Sequence, residues 1–148
     1  RDLEIANEIR LLPHPCVVRP WHIEDLPSYK VLVMEFCPGG DLRSCVDRAW
    51  QAVETGRRYR PPRGAVYWVG QVFLGVEHLH LQVRTILRDL KPENVLLDQK
   101  GCAKLSDFGC GRLEEGSNQQ GSLTVTHPVG SPGYCAPEQL RRQQHDYR

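Results

Sequence analysis

The spacing of apolar positions along the chain predicts three helices. Ile5, Ile9 and Leu12 fall on one helical face within residues 3–12, and Pro13 ends this pattern because proline cannot continue the helical hydrogen bonds. Apolar residues recur with the same helical period in residues 42–53 and again in residues 65–80. These three segments are therefore predicted to form amphipathic helices.

Four shorter segments have the composition of β-strands. Residues 16–21, 30–36, 95–97 and 103–105 are rich in apolar, β-branched and aromatic side chains. The polar residues 22–29 are predicted to form a hairpin loop between the first two, and the turn sequence DQKG joins the last two. This order of strands and helices indicates the α+β class. The turn sequence CPGG is predicted to separate a sheet-containing part, residues 1–37, from a mostly helical part, residues 38–148.

Charge and composition limit the classes of partner. The 19 basic and 18 acidic side chains give a formal net charge of +1, which provides no overall field to hold nucleic acid or an anionic membrane. No apolar run reaches the ~20 residues that span a bilayer. The basic segment 55–64 contains four arginines, which would either bind an acidic partner or form a solvated connection, and its composition favours the solvated connection. Six cysteines without a CxxC pair argue against structural zinc and predict a reducing, intracellular compartment.

The sequence RDLKPEN, residues 88–94, carries the candidate chemistry. Asp89 can accept a hydrogen bond from an attacking hydroxyl, and Lys91 can place an ammonium group near a transferring phosphoryl group. Asn94 and Asp107 offer the oxygen ligands that Mg²⁺ prefers, from opposite ends of a predicted hairpin. Each residue alone would be interpreted as a cap or turn former. Their combination indicates phosphoryl transfer.

Three motifs in order relate the chain to a known family. RDLKPEN is followed by DFG at 107–109 and by APE at 136–138, and this set resembles the eukaryotic protein kinases over nearly the whole chain. The resemblance implies a partial bilobal protein-kinase-like fold, with Asp89 as the catalytic aspartate, Lys91 facing the phosphate, and Asn94 and Asp107 as metal ligands. Lys91 within DLKPEN resembles the serine/threonine class. The implied activity is transfer of a phosphoryl group from ATP, with Mg²⁺, to Ser or Thr hydroxyls of a protein substrate.

The stretch KVLVMEFCPGGDL, residues 30–42, resembles the strand and hinge that hold adenine in these kinases. Met34 then matches the gatekeeper position. The resemblance implies that the Glu35 carbonyl and the Cys37 backbone bond the adenine edge, and that Asp41 reaches the ribose hydroxyls. Without the other motifs, the same stretch would be interpreted as a buried edge strand followed by a glycine turn.

Residues 107–138 correspond, by the same resemblance, to the activation segment. Arg88 is implied to bind a phosphorylated activation loop, and a phosphate there would gain charge-assisted hydrogen bonds. Ser131 is implied to contact the catalytic Asp and Lys. The hydroxyl groups that are candidates for phosphorylation are those of Ser122, Thr124 and Thr126. The alternative is that these hydroxyls are simply solvated.

The chain departs from the family pattern at two positions. Leu87 stands where the family usually has His or Tyr, and we hypothesise that this alters regulation and leaves the chemistry intact. The helix glutamate that pairs with a strand lysine is either Glu4 or Glu8, and we favour Glu4 because Glu8 lies one turn nearer the proline break.

The resemblance also implies a Gly-rich phosphate loop and a strand lysine before residue 1, and further helices after residue 148. We therefore expect a fragment of a longer kinase that is inactive in isolation and has marginal or no independent stability. The alternative is a pseudokinase that acts as a scaffold or binding module. We expect a cytoplasmic location, with the nucleus as the alternative, and an upstream activating kinase as a further partner.

Overall fold

A computed structural model describes residues 2–109, 112–113, 130–131, 133–135 and 137. Its helices and strands follow one another in chain order as α1 Asp2–Leu11, β1 Pro20–Asp25, β2 Lys30–Met34, α2 Leu42–Glu54, α3 Ala65–Leu81, β3 Thr85–Ile86, β4 Val95–Leu97, β5 Ala103–Leu105 and β6 Arg112–Leu113. A short 3-10 helix, Pro92–Asn94, precedes β4. The strands of this part of the chain form three antiparallel pairs, β1 with β2, β3 with β6, and β4 with β5. The predicted α+β class is confirmed.

The helices lie where the hydrophobic periodicity placed them. Predicted helices 42–53 and 65–80 correspond to α2 and α3, each one residue longer at its C-terminal end. α2 begins after Asp41, whose carboxylate accepts a hydrogen bond from the Ser44 N–H at 2.7 Å and thereby caps a free helical donor. Within the described residues, no helix combines the length and apolarity needed to cross a membrane.

The prediction for the first strand was wrong. β1 begins at Pro20 and includes the first half of the predicted loop, which shrinks to residues 26–29. Residues 16–18 are buried and bond to β5, because the Val18 N–H donates to the Leu105 carbonyl at 2.8 Å and the Leu105 N–H donates to the Cys16 carbonyl at 2.9 Å. This segment is therefore held against β5, and the strand that pairs with β2 starts after it.

A buried cluster among the described residues connects α1 and α3 to the strands near the catalytic loop. It contains Ile9 of α1, Leu79 of α3 and Leu105 of β5, together with Leu87 and Phe108. Leu87 and the DFG phenylalanine, Phe108, are both buried in this cluster.

The close approach of α3 to β5 depends on a glycine. A Cβ on Gly75 would lie 2.8 Å from the Cys16 carbonyl oxygen and 2.8 Å from a side-chain carbon of Leu105. Only a residue without a side chain fits between these atoms. Gly75 therefore allows α3 to pack closely against β5 and the Cys16 backbone in the core.

Candidate active site

The loop between β3 and β4 is shaped by local backbone geometry. Arg88 has a left-handed conformation, with φ of 63°, which turns the chain immediately before Asp89. Pro92 then starts the 3-10 helix, where its fixed φ fits and its missing N–H is not needed. The Asn94 N–H closes this turn on the Lys91 carbonyl at 3.0 Å. These turns bring the side chains of Asp89, Lys91 and Asn94 together.

Asp89 is the centre of a hydrogen-bonded cluster. Its Oδ2 accepts from Lys91 Nζ at 2.8 Å, and its Oδ1 accepts from the Ser131 N–H at 2.7 Å. Lys91 Nζ also donates to Ser131 Oγ at 2.6 Å. The expected contact of Ser131 with the aspartate and the lysine is therefore present, although 40 residues separate Lys91 from Ser131. The Asp89 side chain is 7% exposed, so this carboxylate is largely enclosed by its partners.

These contacts fix the charge of both groups. Burial raises the pKa of Asp89, but the hydrogen bonds from Lys91 and Ser131 outweigh it, and the net pKa is lowered. The hydrogen bond to Asp89 raises the pKa of Lys91, and the negative charges of Glu93 and Asp107 add to this rise. At neutral pH the cluster therefore contains a carboxylate and an ammonium group.

The β4–β5 hairpin places Asn94 next to the DFG motif. The Ser106 N–H donates to the Asn94 carbonyl at 2.9 Å, and Ser106 Oγ donates to the same carbonyl at 3.1 Å. Asp107, the next residue, has a φ of 55°, and its Oδ1 accepts from the Gly109 N–H at 3.3 Å. One predicted metal ligand, Asn94, therefore accepts two hydrogen bonds from Ser106, and the other, Asp107, is the residue after Ser106.

The side-chain oxygens at this position fit a divalent cation. Asn94 Nδ2 donates to the Asp89 carbonyl at 3.0 Å, and Asn94 is buried. Among the described residues, no donor bonds Asn94 Oδ1, which leaves a buried acceptor for a cation. An amide oxygen and the Asp107 carboxylate are hard ligands of the kind that Mg²⁺ binds while keeping water and phosphate oxygens. The part of the chain described here has no group of three or more His, Cys, Asp or Glu side chains suited to a metal ion.

The predicted hinge is bound to the same hairpin by its backbone. The Gly39 N–H donates to the Leu97 carbonyl at 2.9 Å, and the Leu97 N–H donates to the Gly40 carbonyl at 2.8 Å. A Cβ on Gly39 would lie 2.6 Å from the Leu97 Cβ, so this approach requires glycine. The segment expected to hold adenine is thus attached directly to the strand that follows Asn94.

Sequence reasoning missed a partly buried ion pair behind the hinge. Lys104 Nζ lies 2.9 Å from Glu35 Oε1, and the two side chains are 11% and 26% exposed. Glu35 Oε2 also accepts from the Arg19 N–H at 3.3 Å. The available signal was a single charged residue in the otherwise apolar strand AKL, whose three residues are all buried. The side chain of Glu35 therefore anchors the strand end whose backbone was expected to face adenine.

The remaining predicted site residues differ in their surroundings. Both carboxylate oxygens of Asp41 accept from Ser44 Oγ at 3.0 Å, so this side chain serves as a helix cap. Cys37 is buried, and burial raises the pKa of its thiol. Glu4 is exposed on α1, and Glu8 is partly buried. Ser122, Thr124 and Thr126 lie outside the described residues.

Comparisons with known proteins relate this chain to protein kinases. The sequence profile of the family described as protein kinase domain matches residues 1–148. Rhodopsin kinase GRK1 of Rattus norvegicus is 41% identical over 117 residues, which cover 78% of this chain and 19% of that protein. CBL-interacting protein kinase 10 of Oryza sativa subsp. japonica is 32% identical over 146 residues, covering 99% of this chain and 29% of that protein.

A third relative is the serine/threonine-protein kinase Nek2 of Homo sapiens. It is 35% identical over 147 residues, which cover 95% of this chain and 31% of that protein. The chain therefore spans less than a third of the length of these three curated relatives.

Proposed function

Because this chain belongs to the protein kinase domain family, with a partial protein-kinase-like α+β fold, we propose that it carries the phosphoryl-transfer site of a serine/threonine protein kinase. The observation that carries this proposal is the cluster of Asp89, Lys91 and Ser131, with Asn94 bonded to the same aspartate. The serine/threonine class is supported by Lys91 within DLKPEN and by the names of relatives such as Nek2.

Asp89 is the residue that positions the acceptor hydroxyl. Its lowered pKa keeps the carboxylate ionised, so it accepts the hydroxyl hydrogen bond and directs the oxygen toward the γ-phosphorus. The new bond joins this oxygen to the γ-phosphorus, and the bond from the γ-phosphorus to the β–γ bridging oxygen breaks. The hydroxyl proton leaves through Asp89. Ser131 holds the carboxylate from the other side through its N–H, which fixes the direction of the remaining lone pairs.

Lys91 and the hairpin supply the charges that the phosphates require. The Lys91 ammonium group, held at 2.8 Å from Asp89, remains protonated and neutralises negative charge on the transferring group. Asn94 Oδ1 and the Asp107 carboxylate are the groups that would hold Mg²⁺. When bound there, Mg²⁺ neutralises charge on the phosphate oxygens. The adenine of ATP would bond the backbone at Glu35 and Cys37, and Asp41 would receive the ribose while it caps α2.

The wider setting is proposed on the same basis. The acceptor is a Ser or Thr hydroxyl of a protein. Arg88, beside Asp89, would bind a phosphate placed on Ser122, Thr124 or Thr126 by an upstream kinase. The protein would act in the cytoplasm or the nucleus.

The test uses the full-length protein with radiolabelled ATP, Mg²⁺ and a degenerate Ser/Thr peptide library. Asp89→Asn should lower kcat by about 10²-fold or more, because the loss of the carboxylate removes acid–base and positioning effects of this size. The matched control is Asp25→Asn, an exposed carboxylate at the end of β1, which should leave kcat unchanged. Transfer by the wild type that survives Asp89→Asn would overturn the assignment. A wild type that binds nucleotide but transfers no phosphate would favour the scaffold function instead.

A further inference from the structure

The connection between α2 and α3 concentrates positive charge in a protein that is almost neutral overall. Residues 57–63 contain Arg57, Arg58, Arg60 and Arg63, whereas residues 55–76 contain no Asp or Glu at all. All four arginines are exposed. No carboxylate of the described residues lies within ion-pair distance of any of the four guanidinium groups. This segment, called here the arginine loop, therefore has uncompensated charge.

The arginine loop is held in place at both ends and in the middle. At its start, the Gly56 N–H and the Arg57 N–H donate to carbonyls in the last turn of α2, at 2.9 and 3.2 Å. At its end, the Ala65 N–H donates to the Pro62 carbonyl at 3.0 Å. In between, the Tyr59 ring packs on the ring of Trp50 in α2, with centroids 4.8 Å apart.

This anchoring distinguishes the arginine loop from a freely solvated charge run. Two consecutive prolines, Pro61 and Pro62, restrict the backbone further because each has a fixed φ. The guanidinium groups are consequently presented from a backbone that is already partly restricted, which lowers the entropic cost of binding a partner. The repulsion among four like charges within seven residues would also be relieved by an anionic partner.

The distribution of the charges indicates which anion fits. The loop is at most about 22 Å long when fully extended, and its arginines occupy separate exposed positions along it. A single phosphate is bound best by donors that converge on it, whereas spaced guanidinium groups match an extended chain with repeated carboxylates. The rings of Trp50 and Tyr59 each use one face to pack on the other, so a nucleic-acid base would find at most one free face on each ring.

We propose that the arginine loop is a docking surface for an acidic protein segment, rich in Asp and Glu and bound in an extended conformation. This surface is made by the connection between α2 and α3 and does not use Asp89 or Lys91. It is therefore independent of the proposed phosphoryl transfer.

The experiment measures binding by fluorescence anisotropy with the full-length protein at about 150 mM salt. The probes are a labelled 12-residue peptide of alternating Glu and Ser, the same peptide with Gln for Glu, and a 12-nucleotide single-stranded RNA. One variant replaces Arg57, Arg58, Arg60 and Arg63 by Gln. The matched control replaces the same number of exposed cations elsewhere by Gln, at Arg10, Lys30, Arg48 and Lys100.

The arginine-loop variant should bind the Glu peptide at least about fivefold more weakly, since it removes four exposed pairs and each contributes about 1.5- to 5-fold. The control should change affinity less than about twofold, and the Gln peptide should not bind. Tyr59→Ala keeps all four charges but releases the loop, so it should weaken binding measurably. Equal weakening in the loop variant and the control would overturn the proposal in favour of overall charge. No effect of the loop variant would also overturn it, and so would tighter arginine-dependent binding of the RNA.

The outcome is separable from the proposed enzyme activity. Asp89→Asn should bind the Glu peptide as the wild type does. The arginine-loop variant should phosphorylate a neutral peptide at the wild-type rate. A failure of acidic docking therefore leaves the kinase assignment standing, and the reverse also holds.

Discussion

The partly buried ion pair between Lys104 and Glu35 gives the sharpest test of how the hinge is held. We expect Lys104→Met to destabilise the protein because it leaves the Glu35 carboxylate partly buried with only the Arg19 N–H at 3.3 Å as a partner. Breaking a fully buried pair costs roughly 3–5 kcal/mol. The Glu35 side chain is 26% exposed, so solvent screens part of this, and the expected loss is about 1–3 kcal/mol.

A double-mutant cycle isolates the pair itself. Lys104→Met, Glu35→Gln and the double variant are compared in the full-length protein by pulse proteolysis across a urea series. Because removing both charges leaves no uncompensated ion, the double variant should lose less free energy of unfolding than the sum of the single variants. The expected coupling energy is about 1–2 kcal/mol.

The chain offers a matched exposed pair as the control. Arg43 Nε lies 2.9 Å from Asp47 Oδ1, one turn away on α2, and the two side chains are 46% and 47% exposed. The same cycle with Arg43→Met and Asp47→Asn should give a much smaller coupling, because solvent screens exposed pairs of this kind. A coupling for Lys104 and Glu35 equal to or below that of the exposed pair would refute the reasoning, since burial would then add nothing.

Three further predictions concern the catalytic loop and hinge. Gly39→Ala should raise KM for ATP several-fold, because the new Cβ would lie 2.6 Å from a side-chain carbon of β4. The control Gly70→Ala should leave KM unchanged, because nothing lies within 4 Å of its new Cβ. Equal effects of the two variants on KM would contradict this prediction. The Asp89–Lys91 interaction is complete between the ordinary pKa of Asp, 3.8, and that of Lys, 10.5. On the acid side it is lost as pH falls through the lowered pKa of Asp89. On the alkaline side it is lost as pH rises through the raised pKa of Lys91. kcat from about pH 5 to about pH 9 should therefore show no step from this pair, and an acid step above pH 5 that moves upward in Lys91→Met would contradict it. Leu87→His introduces a residue that the kinases it resembles usually have at this position and changes none of the proposed nucleotide-binding groups, so nucleotide binding should be retained. Titration with a fluorescent ATP analogue that found no binding would argue against this.

The sequence was most informative where the periodicity reflects burial on one face. α2 and α3 were predicted almost to the residue because apolar positions recur along them at the helical period. β1 was misplaced because its side chains are mostly exposed, so no alternating pattern marks it. The pairing of β3 with β6 was missed for a related reason, since each strand has only two residues.

The candidate site shows a similar division. The chemistry of Asp89 and Asn94 could be inferred from residue type and local spacing, because both belong to one short loop. The contact of Lys91 with Ser131 crosses 40 residues, and only the family resemblance predicted it. The pair of Glu35 and Lys104 spans 69 residues and belongs to no motif, so no local pattern could indicate it.

The two main-chain hydrogen bonds between the hinge and β4 have a consequence for how ligand binding is sensed within the protein. Both hydrogen bonds join main-chain groups, and the approach leaves no room for a side chain at position 39, so the hinge and the hairpin are held together by their backbones. Their amide hydrogens should consequently exchange with deuterium as one cooperative unit. A compound that occupies only the adenine position would then also slow deuterium exchange at the Leu97 amide of β4, although it makes no contact with β4.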